Sequence, residues 1–172
     1  MKKRIMAALT FVLLFTAVSV YAVTPKELIS KYNSYVFDVD ELIRYEGLKA
    51  MPGVFPPVYK TRTDDSKVYV EVSIDKKGNV TLFGLSVSML ANKRDVFDKL
   101  GKLVERGAHA ISAASDGLEN PIESKYWIYT MISEATNNDE GVSRLEFDYG
   151  DLVFSRMEIS GENIAILALY LK

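Results

Sequence analysis

Between residues 67 and 75 the chain alternates strictly, with Val68, Val70, Val72 and Ile74 separated by Tyr69, Glu71, Ser73 and Asp75. A period of two sends successive side chains to opposite faces, so the stretch reads as a strand with one buried face and one wet face. Such a strand needs a neighbour. Lys76-Lys77-Gly78-Asn79 supplies turn chemistry and residues 80–89 run back as a second strand, which predicts an antiparallel hairpin. The apolar positions shift from Val80 and Leu82 to Leu85, Val87 and Met89, and a bulge near Gly84 would account for that shift.

A long helix is expected next, capped by Asn92 with Asp95 at its third position. Val96, Phe97, Leu100, Leu103, Val104, Gly107, Ala108, Ile111 and Ala114 fall on one stripe at helical spacing. The helix should stop near Ser115, with Gly117 close to the cap and Pro121 beyond. His109, the single histidine, points away from the stripe and reads as a solvated surface residue.

Downstream, residues 125–133 are rich in aromatic and β-branched side chains and read as a strand. Residues 142–149 and 152–159 read as two more, joined by a tight turn at Gly150-Asp151, and residues 163–171 are apolar on both faces, as a central strand would be. A parallel three-layer fold would need a helix between each pair of strands, and this third of the chain lacks them. The expected fold is therefore α+β: a single antiparallel sheet of about five to six strands, with one long amphipathic helix packed on one face and a short N-terminal helix.

The short helix is expected over residues 25–33, after the motif Val23-Thr24-Pro25-Lys26-Glu27-Leu28. Thr24 suits the N-cap, Pro25 the first helical position and Glu27 the third position of a capping box, with Val23 packing on Leu28 as a hydrophobic staple. Residues 35–50 read two ways. Asp38 with Glu41 would open a helix, whereas Tyr35-Val36-Phe37 favours a strand. Residues 51–58 contain three prolines and read as a rigid extended linker.

Ahead of this lies MKKRIMAALTFVLLFTAVSVYA, in which Lys2, Lys3 and Arg4 precede a run interrupted only by Thr10, Thr16 and Ser19. That is the pattern of a signal peptide, with small or short apolar residues at Val20 and Ala22 where signal peptidase reads. The rival is an uncleaved anchor, because residues 5–22 are about long enough to cross a bilayer. A helix that starts in its own right at Thr24 favours cleavage after Ala22, giving a signal peptide at 1–22 and one α+β domain at 23–172.

Removal of 22 of the 172 residues leaves 150, the size of one domain with one core. Three of the 21 basic residues go with the leader, so 18 remain against 23 acidic ones, a net charge of −5. That balance argues against nucleic acid, whose phosphates need neutralising, and less strongly against an anionic membrane surface. The chain has no cysteine, so disulfides, thiolate nucleophiles, thiolate metal sites and lipid attachment through cysteine are all excluded.

With one histidine, multi-histidine zinc sites are excluded as well. Asp38, Asp40 and Glu41 form the densest carboxylate group, yet Leu42 and Ile43 stand where a calcium loop needs a ligand and a glycine, so acids decorating a helix start are the better account. Asp64-Asp65 and Asp139-Glu140 read as loop charges. Asn79-Val80-Thr81 matches a glycosylation sequon of the kind that arises by chance, and neither a phosphate loop nor a nucleophile elbow is present. No cofactor, metal site or catalytic residue is assigned.

The remaining candidates are aromatic. In a strand over 125–133, Trp127 and Tyr129 would share a face and Tyr126 would take the other, making Trp127 and Tyr129 the candidate ligand-binding pair. The reading reached from the residues is a non-enzymatic exported module of the periplasm or cell envelope that binds a protein partner or small ligand. The alternatives are a small hydrolase using two carboxylates, and a structural or assembly component that pairs through an edge strand. Mass spectrometry of the native protein from an envelope fraction should find Val23 as its N-terminus; Met1 in the membrane fraction would make it an anchored protein instead.

Overall fold

The computed structural model describes residues 22–53, 57–63, 68–89, 93–159 and 161–172; the leader up to Tyr21, the Asn92 cap and Asp64-Asp65 lie outside them. The capping box forms as expected. Thr24 Oγ1 accepts from Glu27 N at 3.3 Å while Glu27 Oε2 accepts from Thr24 N at 2.9 Å, opening α1 (Pro25–Ser34). Glu27 is held below the usual carboxylate range by that backbone hydrogen bond. Val23 packs against the core beside the buried Leu28, and its carbonyl accepts from Val80 N, which ties the start of α1 to the sheet.

The sheet has seven antiparallel strands: β1 (Lys49–Ala50), β2 (Val58–Arg62), β3 (Tyr69–Ile74), β4 (Val80–Ser88), β5 (Val142–Phe147), β6 (Gly150–Ile159) and β7 (Glu162–Leu171). Their order is β1-β2-β3-β4-β7-β6-β5. The fold is α+β as expected, with more strands than the five to six anticipated. β1 and β2 are the additions: they pair antiparallel across the proline-rich stretch, and Met51 N donates to Val58 O at 2.8 Å. The bulge in the β3–β4 pair lies at Ser73/Ile74, opposite Thr81, instead of at Gly84. Likewise the β5–β6 turn is Asp148-Tyr149, with Phe147 facing Gly150.

The largest correction concerns residues 125–133. They belong to α3 (Pro121–Asn137), a helix of 17 residues whose N-cap Asn120 accepts from Ile122 N and whose first position is Pro121. Among the described residues there are thus two long helices, the other being α2 (Lys93–Ala114) with 22 residues. Pro121, expected to mark the region after one helix, starts the next. Between them Asp116 and Gly117 adopt positive φ, and Ser115 Oγ accepts from Glu119 N.

The helices α1, α2 and α3 pack on one side of the sheet. Facing them are Val70 and Val72 of β3, Phe83, Leu85 and Val87 of β4, Leu152 and Phe154 of β6, and Ala165, Leu167 and Leu169 of β7, all buried. The second half of α2 lies between the sheet and the other two helices, and every residue from 106 to 115 is buried. Phe97, expected on its apolar stripe, is instead 75% exposed near the free end of that helix. Among the described residues no helix is long and apolar enough to cross a membrane.

Close approach explains the small residues in α2. A Cβ on Gly107 would run into Leu167 Cδ2 and lie 2.8 Å from Ile128 Cδ1, whereas a Cβ on Gly101 would meet nothing within 4 Å. The same substitution should therefore have opposite signs. Gly101→Ala should stabilise by about 1 kcal/mol through helix propensity, and Gly107→Ala should lose about 1–3 kcal/mol to overpacking. Urea melts of the two variants check both.

Candidate functional site

The side of the sheet away from the helices has no covering element among the described residues. In an antiparallel sheet such a face should be polar. On β7 it is not: Ile164, Ile166, Ala168 and Tyr170 alternate with the helix-facing Ala165, Leu167 and Leu169 and point to the other side, where Tyr170 is exposed, Ile164 and Ile166 are half-buried and the small Ala168 is buried. Cross-strand registers extend each into a row. Ile166 sits between Ser86 and Ser155, Ala168 between Gly84 and Val153, Tyr170 between Leu82 and Asp151, and Ile164 between Ser88 and Met157.

The middle of the face is consequently low and apolar, and its flanks are charged. On one flank Lys60 pairs with Glu71 at 3.2 Å, and Arg62 lies 4.2 Å from the centroid of the Tyr69 ring while donating to its hydroxyl at 2.6 Å. On the other flank Arg144 bonds Asp151 at 2.8 Å. Tyr170, Tyr69, Met157 and Val142 are each about 40–46% exposed. A groove of about 220 Å³ runs over β2–β4 to Glu162 and Ile164. At the centre of the face Gly84 and Ala168 are buried beneath their neighbours, with Leu82 and Glu71 closing in over Gly84.

The predicted aromatic pair does not form a site. Two residues apart on a helix, Trp127 and Tyr129 point in different directions. Trp127 packs on Phe147, with ring centroids 5.5 Å apart, and Phe147 stacks on Tyr149 at 5.0 Å, so Trp127 is part of the core wall. Tyr129 is exposed and lines a cleft of about 390 Å³ with Glu41, Asp98, Lys102, Glu105 and Lys125. Tyr126 is exposed on the outer surface of α3.

That cleft stands over a buried polar group that sequence reasoning missed. Arg106 is fully buried with Glu41 Oε1 3.7 Å from its Nη2, and Glu105 bonds Lys125 Nζ at 2.8 Å. Burial pushes the Glu41 carboxyl up despite Arg106, whereas the hydrogen bond from Lys125 holds Glu105 down. Each acid already has a cation partner, which is what burying a guanidinium requires. The sequence signal was the run of small residues after Arg106, which marks a helix enclosed on all sides instead of one with a wet face.

The segment 35–50 supplies Glu41 and is neither of the expected elements. It makes two 3-10 turns, Val39–Glu41 and Tyr45–Gly47, the first capped by Asp38 accepting from Asp40 N. Asn33 holds it in place, donating to Ile43 O at 2.9 Å and accepting from Ile43 N at 3.0 Å. Asp139 and Glu140 lie in an exposed turn, and Asn79 bonds Asp75 within the β3–β4 turn. Among the described residues no group of three or more His, Asp or Glu is placed to hold a metal ion.

His109 is also corrected. It is 5% exposed, with its ring edge-on to Tyr32 at 5.9 Å and Nδ1 without a hydrogen-bond partner among the described residues. Its stripe was wider than the apolar residues alone suggested, because α1 covers the side on which it lies. No family model, curated protein or solved structure matches the chain.

Burial lowers the His109 pKa, against the opposing pull of Glu105. The unfolded chain, with an ordinary histidine near 6.5, then binds the proton more readily than the folded one. Stability contributed by neutral His109 is present above that value and lost as pH falls below it. With no second histidine to contribute, His109→Leu should flatten the fall in unfolding free energy from pH 6.5 to pH 5.5, measured by urea titration at each pH.

Proposed function

We propose that the chain is an exported cell-envelope module that binds a protein partner across the open face of its sheet and does not itself catalyse a reaction. One observation carries this: β7 directs Ile164, Ile166 and Tyr170, with the buried Ala168 between them, to a face that no helix covers among the described residues. Solvated sheet faces are ordinarily polar, and a contiguous apolar band with charged flanks is the composition of a docking surface. The leader-like first 22 residues, and an acidic remainder poorly suited to nucleic acid, support the envelope setting.

A second reading keeps the carboxylate hydrolase, because Glu41 and Glu105 line one cleft and are shifted in opposite directions. Divergent carboxyl pKa values are what acid and base roles need. The binding reading is preferred because Arg106 and Lys125 already occupy those two acids.

Ile166→Glu places a charge in the centre of the open face while leaving the helix-facing core untouched. It should leave the melting temperature within a few degrees of wild type and abolish co-purification of the partner from envelope extract. Glu41→Gln should leave co-purification intact. Retained capture by the Ile166→Glu protein would remove the support for this surface.

A further inference from the structure

The two edges of the sheet are unlike. β1 is only two residues long, a length that offers little to another chain, whereas β5 is a six-residue strand with β6 on one side and, among the described residues, no strand on the other. Which of its backbone groups face outward follows from the pairing. Arg156 N donates to Gly141 O, and Phe147 faces Gly150 across the two-residue turn. In an antiparallel ladder hydrogen-bonded pairs recur at every second residue, so Ser143, Leu145 and Phe147 direct their N–H and C=O toward β6. Arg144 and Glu146 therefore direct theirs to the open edge.

Exposed edges are normally protected by charge, since a row of one sign repels a second copy of itself. This edge carries one charge of each sign, two residues apart, and that arrangement complements itself. We propose that β5 is a homodimerisation edge, pairing antiparallel with β5 of a second copy about a two-fold axis through Leu145.

In this register Arg144 faces Glu146 of the other copy, and Glu146 faces its Arg144. Both pairs are of the hydrogen-bonded kind, giving four new backbone hydrogen bonds. Sliding by two residues either way sets Arg144 against Arg144 or Glu146 against Glu146, so charge selects one register. Val142 adds no bonds, because Asn138 Nδ2 already donates to its carbonyl at 2.8 Å. The dimer is consequently a modest one, joined by a short stretch of edge, and it merges two seven-stranded sheets into one of fourteen strands. The proposal stands independently of what the open face binds.

The chain has no cysteine, so a single introduced thiol reports on geometry. Across the two-fold, the Leu145 positions form a non-hydrogen-bonded pair with Cα atoms about 4.5 Å apart, within the roughly 4.4–6.8 Å that a disulfide spans. Under mild oxidation Leu145→Cys should form a covalent dimer at least tenfold faster than Val142→Cys at equal protein concentration, since the two 142 positions lie far apart in this register. Equal rates, or faster linking at 142, overturn the register.

Sedimentation velocity over a concentration series tests the charges. Wild type should shift toward dimer as concentration rises, and Arg144→Glu should remain monomeric. Arg144→Glu combined with Glu146→Arg should recover the dimer, and it also returns a cation to Asp151, which faces residue 146 on β6. A wild-type chain that stays monomeric throughout, or a double variant that fails to recover, overturns the proposal.

Discussion

Everything in this fold is arranged around a helix with no wet side over its second half. From Arg106 to Ala114 each residue of α2, and Ser115 just beyond it, is covered, by the sheet on one side and by α1 and α3 on the others. A helix enclosed in that way has to be slim where its neighbours approach, hence Gly107, Ala108, Ala110, Ala113 and Ala114, with Ser112 and Ser115 turning their hydroxyls to local backbone groups. The same enclosure takes Arg106 out of water. Its charge requires an acid, and the acid comes from Glu41 in a segment that has little regular structure of its own. Desolvating a guanidinium is costly, so the 3-10 turns near Glu41 are located by the helix they serve.

Enclosing α2 places the three helices of the described residues on one side of the sheet. The other side is left to its own side chains, and at β7 those are apolar. The helical layer described is deep on one face, and among the described residues no helix lies on the opposite one. The buried centre and the open face meet at β7, whose inward Leu167 bears on Gly107 while its outward Ile166 and Tyr170 face solvent.

Much of this was legible in the residues. The strand at Val68, Val70 and Val72, the capping box at Thr24 and Glu27, and the end of α2 near Gly117 all follow from local rules and all form. What failed did so for identifiable reasons. Tyr126, Trp127, Ile128 and Tyr129 have strand propensity, yet Asn120-Pro121 opens a helix and packing on β5 and β6 keeps it. β2 is short and preceded by Pro56-Pro57, so its pairing with β3 left little local trace. His109 and Arg106 were judged as wheel positions on an amphipathic helix, whereas their surroundings come from α1, α3 and the segment 35–50, which are distant in sequence.

The candidate site was half visible. Residues 163–171 were rightly recognised as apolar on both faces, and the reading of a central strand holds by neighbours, since β7 lies between β4 and β6. That both faces would be covered did not follow. Photo-crosslinking in envelope extract tests the central claim most directly, with a photoreactive phenylalanine placed either at Tyr170 on the open face or at Tyr126 on the helical side, both exposed. The account predicts adducts from position 170 that disappear when Ile166→Glu is added, and none from 126; adducts from 126 alone would contradict it.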